Sequence, residues 1–203
     1  MCVRPWASTL INTDPAVHAE LDVVSSWIAH YAGLLKPGAK VLDLACGGGR
    51  HARYLADQGH TVLAVDRDPD SLAKIKHRLV KTLALDLEGD LWVLPEAEFG
   101  HWDAIIVTNY LYRPYLDLLP TLLEEGGILL YETFAIGNAE FGKPSNPAFL
   151  LRHGELLELA QKHQLHVVAY RDGFVERPKP AMVQSLCACR GAPKIRHPLQ
   201  FQA

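Results

Sequence analysis

Cysteine is scarce in this 203-residue chain: only Cys2, Cys46, Cys187 and Cys189 are present. They form no repeated C-x-x-C pair, which excludes a disulfide framework and a zinc ribbon. No apolar run approaches the roughly 20 residues that a membrane helix needs, so no membrane span is expected. Charge of one sign is also lacking, since 20 Lys and Arg face 23 Asp and Glu for a net charge of -3. No basic stripe gathers, and nucleic acid is disfavoured as a partner because phosphate neutralisation leaves a basic footprint. The histidines show neither H-x-x-x-H nor H-E-x-x-H spacing, so no metal centre is expected. The opening stretch "MCVRPWASTLINTDP" lacks the continuous apolar core and cleavage site of a secretory leader. A mature chain that starts here and works in a reducing cytoplasm is the expectation.

What is present is the composition of a soluble domain, 49% hydrophobic and 21% charged. The length suits one domain over residues 1–203, with an N-terminal arm and helix in 1–36 and a tail in 191–203. Asp14 and Pro15 read as a cap and first turn, followed by Val17, Leu21, Val24, Ile28, Tyr31 and Leu35 at helical spacing. A strand "AKVLDLA", a helix over 50–57 stopped by Gly59 and a strand "TVLAVD" come next. Asp68 and Pro69 open a helix whose Leu72, Ile75 and Leu79 face one way, before a strand "TLALD". "WDAIIVTN", a helix over 116–123 and "GGILLYETF" complete five strands. "LHVVAYR" and "AMVQSLCACR" close the chain after a helix over 154–163, and their direct connection makes them antiparallel. Cys187 and Cys189 fall on one face of that last strand, as core residues. Apolar strands separated by helices predict an α/β fold: a Rossmann-like, doubly wound, seven-stranded sheet, mostly parallel with one antiparallel strand, and helices on both faces.

The stretch "VLDLACGGGRHARYL" turns a buried strand into a helix through three glycines. Glycines there allow a tight turn and close approach of a ligand to backbone, and the helix start offers free N–H groups. Gly47, Gly49 and Ala52 satisfy G-x-G-x-x-G/A, and Asp66 lies about 20 residues on, where a ribose-binding acid is expected. Asp43, four residues before Gly47, opposes a pyrophosphate but suits a cation. S-adenosylmethionine carries a sulfonium and an ammonium and no phosphate. Free N–H groups near Arg50 and His51 are placed to receive its carboxylate.

With "VLDLACGGG", "VLAVDRD", "ALDLEG", "DAIIVTNYL" and "LLEEGGILLYET" in this order, the chain resembles the class I S-adenosylmethionine-dependent methyltransferases. The run "GGGRHARYLADQGHTVLAVDRDPDSL" is similar to small bacterial enzymes of the tellurite-resistance type. The resemblance implies S-adenosylmethionine as cofactor and S-adenosylhomocysteine as product. It implies that Ala45, where the family often has glycine, offers its carbonyl to the methionine amine, and that Gly47 and Gly49 leave space for the cofactor. Cys46 lies in the same loop. Asp66 would accept from both ribose hydroxyls, Arg67 would flank adenine, and Asp86 with Leu87 would meet the adenine edge. Thr108, Asn109 and Tyr110 would lie beside the methionine moiety and the acceptor. Asp43, Asp86 and Arg50 also have plain structural readings, as a turn cap, a strand end and a surface helix residue.

Methyl transfer from a sulfonium asks for alignment, water exclusion and charge matching, and a catalytic base is optional, so none is assigned. Tyr110, Arg113, Tyr131, Glu132 and Phe134, at the ends of the fourth and fifth strands or just beyond, are candidate contacts for a small-molecule or small-anion acceptor. The segment 135–150, rich in Gly, Asn and Pro, reads as a lid. Trp6 in the N-terminal arm is a second candidate cover. A nicotinamide-dependent oxidoreductase and an RNA- or protein-directed methyltransferase are the competing readings. Monomer and homodimer are both open.

Overall fold

The computed structural model describes residues 23–88 and 101–192. The Asp14–Pro15 cap, Trp6 and the tail from 193 lie outside the described residues. The helix expected up to Leu35 is seen as α1 (Ser26–Tyr31), capped by the Ser25 hydroxyl, which accepts from the Trp27 N–H at 3.2 Å. A 3-10 turn over Ala32–Leu34 follows. The order is then β1 (Lys40–Leu44), α2 (Arg50–Asp57), β2 (Thr61–Asp66), α3 (Pro69–Leu72), β3 (Val80–Ala84), β4 (Trp102–Thr108), α4 (Leu119–Leu122), β5 (Leu123–Phe134), α5 (Glu155–Lys162), β6 (Leu165–Val175) and β7 (Ala181–Arg190). The seven strands lie in the order β3-β2-β1-β4-β5-β7-β6, with β7 antiparallel to both neighbours. This is the sheet the sequence predicts.

Strands buried on both faces explain the continuous apolar runs. Leu42, Ile105, Val107, Leu129 and Tyr131 point to one side, against Leu156 and Leu159 of α5. Val41, Ala104, Ile106, Ile128, Leu130 and Cys187 point to the other, against Trp27 and Ile28 of α1 and Ala52 and Leu55 of α2. Each large side chain fully buried this way contributes roughly 1.5–3 kcal/mol. Cys187 and Cys189 are fully buried, opposite Leu130 and Ile128.

Two helices are shorter than their periodicity suggests. The helix begun at Asp68–Pro69 ends at Leu72, and Ile75 reaches the core from a loop. The His77 ring nitrogen Nδ1 accepts from the Leu79 N–H at 3.1 Å, a local side-chain bond that competes with helical pairing. Before β5, the expected helix over 116–123 is a 3-10 turn, Arg113–Leu118, running into the four-residue α4.

β5 begins three residues earlier than "GGILLYETF" indicates, because the β4 register breaks between Trp102 and Ala104. At that irregularity a Cβ on Gly127 would stand 2.8 Å from the Trp102 carbonyl oxygen and 2.9 Å from that of Glu124. Both are backbone atoms with little freedom to retreat. Gly127→Ala is therefore expected to destabilise the fold by about 1–3 kcal/mol, the scale of overpacking. Thermal denaturation checks this, at roughly 2–4 °C of Tm per kcal/mol for a chain this size.

Candidate active site

The carboxyl ends of β1, β2 and β4 converge on the glycine loop. Ala45 and Asn109, the residues that leave β1 and β4, both have positive φ, 53° and 54°. Non-glycine residues hold this conformation only where the surroundings enforce it, and such positions cluster at functional sites. The loop is tied down from β2: the Cys46 N–H donates to the Val65 carbonyl at 3.0 Å, and the Gly47 N–H to Asp66 Oδ2 at 2.7 Å. Gly49, with φ 74°, caps α2, and a Cβ there would collide with the Ile75 side chain. Above Gly47, with φ 54°, a Cβ would meet nothing within 4 Å. The loop is packed against protein at one glycine and open at the other.

Beside it lies a cleft of about 160 Å³ lined by Ala45, Asp66, Arg67, Leu85, Asp86, Leu87, Glu88 and Tyr110. Asp66 Oδ1 accepts from the Asp68 N–H at 2.9 Å, so each of its oxygens is oriented by one backbone donor. Asp86 Oδ1 accepts from the Glu88 N–H at 3.0 Å, which fixes the turn after β3. Leu87 is buried in the core, and Tyr110 is half-buried with its hydroxyl shielded and without a hydrogen-bond partner.

Asp43 faces the α2 side, completely buried, and neither carboxylate oxygen makes a hydrogen bond. Burial pushes its pKa up to about 7, against the pull of the Ala52 N–H and the Arg50 charge, and the Asp66 charge adds to the rise. The Ala52 amide is close enough to act electrostatically, yet no bond of ordinary geometry satisfies the carboxylate. Burial without a partner disfavours the charged form of this acid, and a cation brought beside it would restore that form. Cys46 is buried next to it, and burial raises its pKa, so it is an inert thiol.

Asn109, next along the chain to the Tyr110 of that cleft, lines a larger cavity of about 320 Å³, bounded also by Arg50, Glu132, Phe134 and parts of α1, β6 and β7. Glu132 is its hub, accepting from the Ser25 hydroxyl at 2.6 Å, Arg171 Nη2 at 2.7 Å and the Ser185 hydroxyl at 2.9 Å. Arg171 Nε also donates to Ser185 Oγ at 3.0 Å, and its guanidinium lies 4.9 Å from the centroid of the Trp27 ring. His51 links this cavity to β4. Its Nε2 accepts from the Ser25 N–H at 3.3 Å, which leaves the proton on Nδ1, 3.3 Å from Thr108 Oγ1. Burial lowers the His51 pKa to about 3, with help from Arg50, so the ring stays neutral.

The structure thus gathers Asp43, Ala45, Cys46, Gly47, Gly49, Arg50, Asp66, Arg67, Asp86, Leu87, Thr108, Asn109 and Tyr110 around one sheet edge, with Glu132 and Phe134 in the adjoining cavity. Two sequence-derived acceptor candidates fall elsewhere. Tyr131 is buried on the opposite face of β5, and its hydroxyl donates to the Tyr110 carbonyl at 2.8 Å. Arg113 is spent on Glu155, at 2.7 and 2.9 Å, and on the carbonyls of Ala148 and Leu150. Both are corrected to structural residues. Ser25, Trp27, Arg171, Ser185 and the His51 ring line or brace this cavity without having been singled out in the sequence, where His51 entered only for its N–H group. The segment 135–150 is tethered at its base: the Ala135 N–H donates to the Met182 carbonyl, and the buried Asn138 amide bridges the Pro144 carbonyl and the Met182 N–H.

A parallel sheet with one reversed strand, a glycine loop open above Gly47 and an unpartnered buried acid on the same strand end are the features a cationic nucleoside would suit. Those features fit S-adenosylmethionine: open space for it above the loop, and a carboxylate to balance its positive end.

Residues 41–126 match the family described as a methyltransferase domain. The chain is 50% identical over 156 residues to an uncharacterized methyltransferase of Synechocystis sp., covering 71% of this chain and 67% of that protein. It is 34% identical over 128 residues to a demethylmenaquinone methyltransferase of Corynebacterium efficiens, covering 61% of this chain and 50% of the relative. The fold is similar to that of TehB from Haemophilus influenzae, with a TM-score of 0.65 at 20% identity over 82% of this chain and 62% of TehB. It is also similar to a Burkholderia thailandensis 1,6-didemethyltoxoflavin N1-methyltransferase, solved with its substrate and S-adenosylhomocysteine, with a TM-score of 0.61 at 22% identity over 89% of this chain and 80% of that one. The chain belongs to the class I S-adenosylmethionine-dependent methyltransferases. Its cofactor is S-adenosylmethionine.

Proposed function

We propose that the protein transfers a methyl group to a small molecule held in the 320 Å³ cavity, with the nucleoside in the 160 Å³ cleft and the reacting methyl near the consecutive residues Asn109 and Tyr110, which line one each. S-adenosylmethionine supplies an electrophilic methyl and a thioether leaving group that needs no proton. With it bound, an acceptor lone pair would take the methyl carbon as the carbon–sulfur pair stays with sulfur, and any acceptor proton would pass to water. This chain's residues align and enclose. Asp66 orients the ribose, Asp86 and Leu87 border the base, and Asp43 balances the cationic end. Glu132, already accepting from three donors, anchors the cavity wall, and neutral His51, with its free ring nitrogen occupied by Ser25, holds the α1 entry against β4. Neither is available as a general base. The 135–150 crossover borders the acceptor side, where Phe141 packs on Phe174 at a centroid distance of 5.0 Å and Gly142 stands beside the Lys179 ammonium. The toxoflavin enzyme's small-molecule substrate supports the same acceptor class.

The unpartnered Asp43 carboxylate is the observation that carries this reading, because it favours a cationic ligand over a pyrophosphate. Isothermal calorimetry tests it. S-adenosylhomocysteine is expected to bind and NAD to give no heat. Binding of NAD with none of S-adenosylhomocysteine overturns the assignment in favour of an oxidoreductase.

A further inference from the structure

Resting on the methyl-transfer reading, we propose that the acceptor is an organic anion, a carboxylate on a compact apolar body, whose charge is met by Arg171 with Arg177 and Lys179 at the rim. The cavity holds four cations, Arg50, Arg171, Arg177 and Lys179, against one carboxylate, Glu132, among the described residues. Arg50, at the start of α2, belongs to the cofactor side, beside the N–H groups that suit the methionine carboxylate. The other three face the acceptor.

Arg171 is built for this task. Glu132, Ser185 and the Trp27 ring fix its Nη2, its Nε and one face of its guanidinium. Its Nη1 makes no hydrogen bond among the described residues, so one donor edge of a pre-positioned cation remains for a ligand. A guanidinium held in this way loses little freedom on binding a carboxylate, which makes it selective as well as attractive. Arg177 and Lys179 are exposed and form no ion pair among the described residues, and the Lys179 ammonium sits beside Gly142 of the 135–150 crossover. They add longer-range attraction that salt screens.

The walls argue against a bare inorganic anion. Val24, Phe134, Val175 and Val183 give the cavity an apolar body beside its charged residues. Its size is at the small end of ligand pockets, about 300–1,000 Å³, so the guest is compact.

The test titrates protein already saturated with S-adenosylhomocysteine with benzoate and hexanoate, their amides, and inorganic phosphate. The carboxylates are expected to bind alongside S-adenosylhomocysteine, with the amides and phosphate at least tenfold weaker. Arg171→Met is expected to lower carboxylate affinity tenfold or more while S-adenosylhomocysteine affinity stays within about twofold. Should that variant fail to fold, the double change Arg177→Gln with Lys179→Gln, on the exposed rim, is expected to cost several-fold and to flatten the salt dependence. The proposal is overturned by amides binding as well as the acids, by phosphate matching benzoate, by benzoate displacing S-adenosylhomocysteine, or by no carboxylate binding while S-adenosylhomocysteine binds normally. Failure of S-adenosylhomocysteine itself to bind strikes the methyl-transfer reading instead, and the same titration without it then reads the anion site alone.

Discussion

Asp66→Ala is expected to weaken S-adenosylhomocysteine binding roughly a hundredfold. A carboxylate has about four lone-pair sites. In the ligand-free protein the Gly47 and Asp68 N–H groups occupy one on each oxygen, at 2.7 and 2.9 Å, leaving one on each for the two ribose hydroxyls. A hydrogen bond to a charged group is worth about 1.5–3 kcal/mol, so the loss of two, partly offset by water, comes to about 3 kcal/mol. The alanine also frees the Gly47 N–H and loosens the loop that carries the open space. Asp66→Asn, with one acceptor oxygen, is expected to fall between. Calorimetry on variants whose Tm is near that of the parent checks both, and unchanged affinity shows that the ribose lies elsewhere.

Asp43→Asn is expected to move stability and affinity in opposite directions. The folded pKa of Asp43, about 7, stands above the ordinary aspartate value of 3.8. A raised carboxyl pKa means that the folded state holds a proton which the unfolded state has released. The associated stability is fully present below about pH 4, declines as pH rises, and is gone once the folded group ionises above about pH 7. At about pH 8 the ligand-free protein then contains a buried carboxylate with no hydrogen-bond partner. Asparagine removes the charge and should raise ligand-free stability there by about 1–3 kcal/mol, the penalty scale for a buried unsatisfied group, while leaving it nearly unchanged at about pH 4. Cofactor affinity should fall for the same reason, because the ammonium of the methionine part loses its counter-charge. In the parent, affinity should rise with pH up to about 7 and then level off. Chemical denaturation and calorimetry across this range measure both, and parallel losses of stability and affinity contradict the account.

Local signals carried the fold. The span of α2 and those of β2 and β7 match "RHARYLAD", "TVLAVD" and "AMVQSLCACR", because caps, glycine stops and unbroken apolar runs are short-range features. The cofactor half was legible for the same reason, since its residues cluster at strand ends in consecutive βα units. The acceptor half was not. Arg171 lies 39 positions from Glu132 and Ser25 lies 107 away, and no periodicity announces such pairings. Arg113 and Tyr131 were misplaced by an argument from strand ends alone. The alternation of β5 held part of the answer, since Tyr131 and Glu132 are adjacent and must point to opposite faces. Glu132 faces α1 and the cavity, and Tyr131 faces the α5 side. The early end of α3, where the Lys74 and Ile75 N–H groups bond back three residues to the Ser71 and Leu72 carbonyls, is something that helical spacing does not encode.

A crystal structure with S-adenosylhomocysteine bound tests the central claim most directly. The account predicts both ribose hydroxyls within hydrogen-bonding distance of Asp66, the amino group on the Asp43 and Ala45 side of the glycine loop, and the sulfur turned toward Asn109. Ribose away from Asp66, or a ligand lying outside the cleft between Ala45 and Tyr110, would contradict it.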